Sequence, residues 1–170
     1  MCAIQTGTRT LRTPAAKQIG WWGMRGMSWA QFRTSVESNV LLNKTPDIIF
    51  INLGSNDLRN MSSAKLRNIF KRELNYIRVA LPYSLLVWID ILPRLNLSGA
   101  GESERWIDRK RKSINRWGRL HAAKFAKFEL VSVPVDSDTP GFFRSDGVHL
   151  SDVGLELYLD CIRDVILKYS

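Results

Sequence analysis

Hydrophobic residues in this chain form two kinds of pattern: short continuous runs, and longer segments in which they recur every three or four positions. The continuous runs have the length of strands and predict four of them, at Lys17–Trp22, Asp47–Leu53, Leu85–Leu92 and Phe128–Val133. Strands that are apolar on both faces are typical of a parallel sheet covered on each side.

The segments with helical periodicity lie between and after these runs. They predict helices from Ser28 to about Leu42, from Ser62 or Ser63 to Leu81, from about Glu102 to Phe125, and over Asp152–Lys168. Because strands alternate with helices, we expect an α/β protein with three α/β/α layers around a central parallel sheet of at least four strands. No run approaches the roughly 18 apolar residues that a membrane-spanning helix requires.

Ligands of such sheets bind at the carboxyl ends of the strands, which directs attention to the loops after Trp22, Leu53 and Val133. The second loop reads Gly54-Ser55-Asn56-Asp57. Its glycine permits a sharp turn, after which the amide of Asn56 could donate an N–H to an oxyanion. A turn in which Asn56 or Asp57 only caps backbone N–H groups explains the same residues, and for this tetrapeptide alone we favour that interpretation.

The loop before the last helix contains Asp146 and, three residues later, His149. This spacing lets the carboxylate bind the imidazole, fix its tautomer and stabilise its protonated form, as a general base requires. A surface turn with a capping aspartate explains the pair equally well. His121 lies within a predicted helix without such a partner and is interpreted as structural. In the first loop, Gly23–Ser28, the default role of the glycines is the turn into the helix.

Taken in order, these three loops resemble the sequence blocks of the SGNH (GDSL-like) hydrolase superfamily, over residues 18–170. In that family a glycine N–H and an Asn side chain form an oxyanion hole with the N–H of a catalytic serine, and an Asp and a His complete the triad. The resemblance implies a flavodoxin-like fold and an esterase that acts on acyl or acetyl esters of lipids, glycans or small molecules, with no cofactor or metal. It assigns the oxyanion hole to Gly26 and Asn56. The catalytic pair is Asp146 and His149, and the supporting loop contains Gly54, Ser55 and Asp57.

The chain departs from the family at its beginning. The family's first strand ends in Gly-Asp-Ser or a close variant, which provides the nucleophile, and nothing before Lys17 matches it. We therefore expect a fold that lacks the first strand, with residues 1–16 as a poorly defined segment and 17–170 as the hydrolase-like domain. The expected enzyme is weak or inactive.

Three serines are candidates to replace the missing nucleophile, and none is expected to serve. Ser55 lies between the glycine and the oxyanion Asn and would point elsewhere. Ser28 is better explained as a helix N-cap. Ser145 is too close in sequence to its base to reach the required geometry.

The formal net charge of +9 keeps a second class of function open. The third predicted helix is rich in basic residues, with Trp106 and Trp117 between them. The basic residues are Arg105, Arg109, Lys110, Arg111, Lys112, Arg116 and Arg119. Cations with interleaved aromatic residues suit nucleic acid, so the alternative is a non-catalytic basic module, such as one derived from a retroelement. A solvated helix face with buried tryptophans explains the pattern too, and we favour it.

The two cysteines, Cys2 and Cys161, have no metal-binding spacing, and Cys161 is predicted to be a buried thiol. The N-terminus has no apolar signal segment. We therefore expect a reducing, intracellular and cytoplasmic setting.

Overall fold

The computed structural model describes residues 19–96 and 104–169. Within these ranges the chain forms a parallel sheet of three strands, β1 (Ile48–Ile51), β2 (Leu85–Ile89) and β3 (Phe128–Val131), in the order β1-β2-β3. Three of the predicted strands are therefore confirmed, each shorter than expected. The α/β class and the parallel direction are confirmed as well.

The helices agree with the periodic segments of the sequence. They are α1 (Trp29–Val36), which continues as a π-helical turn over Glu37–Leu41, then α2 (Asp57–Asn60), α3 (Ser63–Ala80), α4 (Glu104–Ala122) and α5 (Asp152–Lys168). The bounds of α5 are those predicted. The single turn of α2 was not predicted, because four residues are too few to show a period.

The sheet lies between two helical layers. Helices α1, α3 and α4 cover one face, where Leu86 and Trp88 of β2 point, and α5 covers the other, where Leu85, Val87 and Ile89 point. This alternation follows from the two-residue period of a strand. Every residue of β2 is buried, which explains why its sequence is apolar throughout.

The prediction of a strand at Lys17–Trp22 is wrong for Ile19–Trp22, the part of this segment that the structure describes. Ile19–Trp22 form no strand, and no hydrogen bond pairs them with another described segment; Lys17 lies outside the described residues. Trp22 packs against the core while Trp21 is 51% exposed. Strand propensity failed here because a strand also needs a neighbour that pairs with its backbone groups.

The outer side of β1 is one edge of the described sheet, and the outer side of β3 is the other. The carbonyl of Asp47 accepts a hydrogen bond from Leu85 N on the β2 side (2.8 Å), so Ile48 and Phe50 direct their backbone groups away from β2. A groove with about 360 Å³ of empty space runs along this edge beside α1. No charged side chain is among its described lining residues, which are Met27, Phe32, Ser35, Val36, Val40, Ile49, Phe50, Ile51, Asn52 and Leu53.

Candidate functional site

Asp146 and His149 lie in a closed loop that leads into α5. An antiparallel bridge between Phe143 and Leu150 joins the two sides of the loop, and Arg144 N donates to the carbonyl of His149 (2.8 Å). The two residues are thereby held within a short hairpin-like loop rather than on a free segment.

The carboxylate of Asp146 binds both the backbone and the ring of the histidine. Its Oδ1 accepts from the N–H groups of Val148 (2.8 Å) and His149 (2.9 Å), and its Oδ2 lies 2.6 Å from His149 Nδ1. The backbone hydrogen bond from His149, then the ring, then Val148 N–H hold the pKa of Asp146 well below its usual 3.8. The contact expected from the spacing is present, and both side chains remain about half exposed.

Gly147, between these two residues, joins the loop to the segment that follows β2. Its φ is +65°, and a Cβ at this position would lie 2.9 Å from Asn96 N. Its carbonyl accepts from Leu95 N (2.7 Å) and Asn96 N (3.1 Å). A side chain at position 147 would therefore separate the histidine loop from the loop after β2.

Asn56 lies in the sharp turn after β1. Gly54 starts this turn with φ +114°, and a Cβ there would meet Ile91 Cδ1 at 3.0 Å. Nδ2 of Asn56 donates to the carbonyl of Met27 (2.9 Å), and its Oδ1 accepts from Arg94 Nη2 (3.1 Å). Asn56 therefore contacts both the first loop and the loop after β2.

The capping interpretation of the second loop is correct for Asp57 and not for Asn56. Asp57 is buried, and its two carboxylate oxygens accept from Trp29 N at 3.3 and 3.2 Å, which caps the first turn of α1. Burial raises the pKa of Asp57, against the lowering effect of the hydrogen bond from Trp29. Asn56 makes no side-chain cap to α2.

A continuous set of contacts thus links the three predicted loops. Gly26 lies in the turn closed by Met27 N and the carbonyl of Met24 (3.1 Å), and Met27 binds Asn56. Asn56 binds Arg94, whose neighbour Leu95 binds Gly147. The catalytic and oxyanion roles of these residues stay predictions.

Arg94 was missed by the sequence analysis. The rule that ligands bind at the carboxyl ends of strands applies to β2 as well, so the loop after Leu92 should have been included. Beside Arg94 lies a cavity that is open to solvent, and its space of about 230 Å³ includes part of that solvent. The described side chains that line it are Ser55, Leu58, Leu92, Arg94, Ile107, Asp108 and Arg111.

The three candidate serines, Ser28, Ser55 and Ser145, have different surroundings. Ser28 is the N-cap residue of α1, and Gln31 Oε1 accepts from its N–H (2.9 Å) and its hydroxyl (3.2 Å). Ser55 is partly buried at the cavity, and Ser145 is exposed. None of these three serines, all within the described ranges, makes a hydrogen bond to His149.

The basic helix α4 has structural roles for several of its cations. Asp108 pairs with Arg111 (2.7 Å) and Lys112 (2.8 Å). The Nζ of Lys110 is buried and donates to the carbonyls of Leu58 (2.6 Å) and Met61. Lys110 therefore joins α4 to α2, whereas the pairs of Asp108 lie within α4. The buried Lys110 departs from the expected solvated helix face.

The aromatic residues of α4 differ in their burial. Trp117 packs against Phe70 at 5.4 Å between ring centroids and stacks on His121 at 4.9 Å, whereas Trp106 is 43% exposed. Burial, followed by nearby lysines, lowers the pKa of His121, which is consistent with a structural histidine. Cys161 is only partly buried, and burial raises the pKa of its thiol.

Residues 19–96 and 104–169 contain no group of three or more His, Cys, Asp or Glu side chains that could hold a metal ion. None of the helices in these ranges is long and apolar enough to cross a membrane.

Comparison with solved structures gives the same fold in hydrolases. A GDSL-like lipase from Bacteroides thetaiotaomicron matches with a TM-score of 0.69 at 19% identity, covering 85% of this chain and 73% of its own. A family 3 carbohydrate esterase from Talaromyces cellulolyticus matches with 0.66 at 20% identity, covering 85% and 68%. The family 3 carbohydrate esterase of Clostridium thermocellum gives 0.65 at 19% identity, with 85% and 69% covered.

Sequence comparison identifies the family. No curated protein sequence gives a significant match. The profile of the GDSL-like lipase/acylhydrolase family, however, matches residues 7–162, which is nearly the whole chain. The chain therefore belongs to the GDSL-like lipase/acylhydrolase family.

Proposed function

We propose that this chain is an ester hydrolase domain of low or no activity, whose site is built from Asp146, His149, Asn56 and Gly26. The observation that carries the proposal is the short contact between Asp146 Oδ2 and His149 Nδ1 in a loop that is tied to Asn56 through Arg94 and Leu95. Acyl and acetyl esters of small molecules, lipids or glycans are the proposed substrates. The carbohydrate esterases among the similar structures support the glycan esters.

The proposed chemistry uses water, since no serine is assigned as nucleophile. With Nδ1 held by Asp146, the other ring nitrogen of His149 removes a proton from water, and the water oxygen forms a bond to the ester carbonyl carbon. Asn56 Nδ2 and Gly26 N–H donate to the carbonyl oxygen as it becomes negative. The bond to the alcohol oxygen then breaks, and His149 returns the proton to the alcohol.

The expected rate is low, because the proposed site has no assigned nucleophilic side chain. In serine proteases, removal of triad members leaves a rate about 10³–10⁴ above that of the uncatalysed reaction, due to the oxyanion hole and substrate binding. A free water is less well positioned than a tethered hydroxyl, and positioning contributes about 7–11 kcal/mol in favourable cases. That factor is therefore an upper limit for this chain, and we expect hydrolysis close to background.

The test is a p-nitrophenyl acetate assay on three proteins: the chain itself, His149→Ala, and the chain extended at its N-terminus by an apolar strand that ends in Gly-Asp-Ser. We expect near-background rates from the first two and a higher rate from the third. The matched control is the extension ending in Gly-Asp-Ala, which adds the strand without the hydroxyl. Brisk hydrolysis by the unextended chain that His149→Ala abolishes would mean that one of its own serines or threonines is the nucleophile.

The alternative of a nucleic-acid-binding module has weaker support. Four of the seven cations of α4 form ion pairs or hydrogen bonds within the protein, namely Lys110, Arg111, Lys112 and Arg119. The similar structures reported above are a lipase and two esterases, which favours an ester substrate.

A further inference from the structure

The side-chain amide of Asn56 lies between two partners of opposite hydrogen-bonding character. On one side, the carbonyl oxygen of Met27 is 2.9 Å from Nδ2; on the other, Nη2 of Arg94 is 3.1 Å from Oδ1. A carbonyl oxygen can only accept a hydrogen bond, and a guanidinium can only donate one. A single orientation of the amide therefore satisfies both neighbours.

The opposite orientation has a clear cost. Rotating the amide by half a turn would direct Oδ1 at the Met27 carbonyl and the NH₂ group at the Arg94 guanidinium, and both hydrogen bonds would be lost. Arg94 makes its contact through a charged donor, which gives a stronger hydrogen bond than a neutral one. The orientation of the amide is therefore set by residues 29 and 38 positions away in sequence.

We infer that Arg94 is a positioning residue, which fixes the Asn56 amide so that one N–H of Nδ2 binds Met27 and the other is directed to an oxyanion. The donation to Met27 uses one of the two N–H groups of Nδ2, and the second makes no hydrogen bond to any residue in the described ranges. Assigning that N–H to an oxyanion rests on the proposed function. A donor fixed before the reaction stabilises negative charge without the cost of reorientation.

The surroundings of Arg94 suit this role. The two residues after it donate through Leu95 N and Asn96 N to the carbonyl of Gly147, so its loop is anchored to the loop of Asp146 and His149. Arg94 also lines the cavity beside Asn56. The guanidinium is therefore held next to Asn56 by the same segment that contacts the histidine loop.

The first test observes the Asn56 side-chain NH₂ signals in ¹H–¹⁵N spectra of the full chain, assigned by their loss in Asn56→Asp. Arg94→Met keeps the length of the side chain without a donor, Arg94→Lys keeps a charged donor, and Arg111→Met removes a charge from the same cavity without a contact to Asn56. We expect displaced NH₂ signals in Arg94→Met, partial restoration in Arg94→Lys, and no displacement in Arg111→Met. Equal NH₂ shifts in Arg94→Met and Arg111→Met would overturn the inference.

The unsubstituted chain provides a check that does not depend on how a variant folds. Nuclear Overhauser effects should place the NH₂ group of Asn56 beside Met27 and away from the guanidinium of Arg94. The reverse pattern would overturn the inference by itself.

The second test measures binding of methylphosphonate, a mimic of the negatively charged tetrahedral intermediate, by the same signals. We expect affinity for methylphosphonate about tenfold weaker in Arg94→Met than in the unsubstituted chain, which corresponds to about 1.4 kcal/mol. Arg94→Lys should recover part of the loss, and Arg111→Met should lose less. If no protein binds methylphosphonate, the proposed oxyanion site fails, while the NH₂ signals of the free proteins still decide the role of Arg94.

Discussion

Asp146 illustrates how much chemistry one residue of this chain carries. Its Oδ1 binds two backbone N–H groups and orders the loop, while its Oδ2 binds the imidazole of His149. Three donors on one carboxylate favour the charged form, and for this reason the pKa of Asp146 is lowered even though the side chain is half exposed. Order in the loop and orientation of the histidine thus depend on the same ionised group.

The corresponding prediction concerns pH. Because the pKa of Asp146 is lower in the folded chain than its usual 3.8, its stabilising effect on the loop is present above pH 3.8 and is lost only as the pH falls through the lowered value. A ¹³C-detected titration should therefore show the Asp146 carboxylate mainly ionised at about pH 3. His149→Ala should move the pKa part of the way back, since the bonds from Val148 N–H and the backbone of residue 149 remain. A midpoint near 3.8 in the unsubstituted chain would contradict the geometry.

Where β2 ends, a side chain makes the backbone hydrogen bonds that a neighbouring strand would otherwise make. After β2 stops at Ile89, the N–H of Ile91 binds Asn115 Oδ1 and the carbonyl of Ile91 binds Asn115 Nδ2, both at 3.0 Å. Asn115, a buried residue of α4, thus replaces a strand neighbour, and it explains why the strand predicted to reach Leu92 is shorter. The same contact holds the segment that leads to Arg94.

Asn115→Ala is the variant that tests this replacement. It leaves the buried N–H of Ile91 without an acceptor, whereas the carbonyl of Ile91 keeps Arg111 Nη1 at 3.0 Å as a donor. One buried unpaired group costs about 1–3 kcal/mol, and we expect the free energy of unfolding in urea to fall by that amount. Asn39→Ala is the matched control, since Asn39 donates to the carbonyl of Ser35 at a partly exposed site on a helix, and its effect should be smaller. Equal effects of the two substitutions would refute the role of Asn115.

At the scale of the whole molecule, the three strands differ in whether both of their sides are paired. Both sides of β2 have a strand neighbour, whereas the outer sides of β1 and β3 have none among the described residues. The outer side of β1 also adjoins an uncharged groove of about 360 Å³. An apolar edge strand with unpaired backbone groups stabilises a sheet less than a paired one and favours association with other chains. Because the groove beside it is uncharged, the edge of β1 is the one at which we expect an added strand to stabilise the fold.

We expect the unextended chain to unfold at or below the range of about 45–65 °C typical of mesophilic domains. The N-terminal extension with an apolar strand should raise the Tm by about 2–4 °C for each kcal/mol gained in a domain of this size. An extension of equal length with proline at alternate positions is the control, because proline cannot donate to a strand neighbour. A sharp, cooperative transition of the unextended chain well above 65 °C would contradict the expectation. So would equal effects of the two extensions.

The sequence alone determined the features that depend on local pattern. Strand-length apolar runs identified β1, β2 and β3, three- and four-residue periods identified the longer helices, and the spacing of Asp146 and His149 determined their contact, because the partners are close in sequence. Tertiary structure decided what depends on distant partners. It left Ile19–Trp22 without a strand neighbour in the described part of the chain, assigned the capping role of Asp57 to a helix 28 residues away, and set the orientation of Asn56 through Met27 and Arg94. Hydrogen bonds between distant segments leave no period or spacing in the sequence, and only the folded chain defines them.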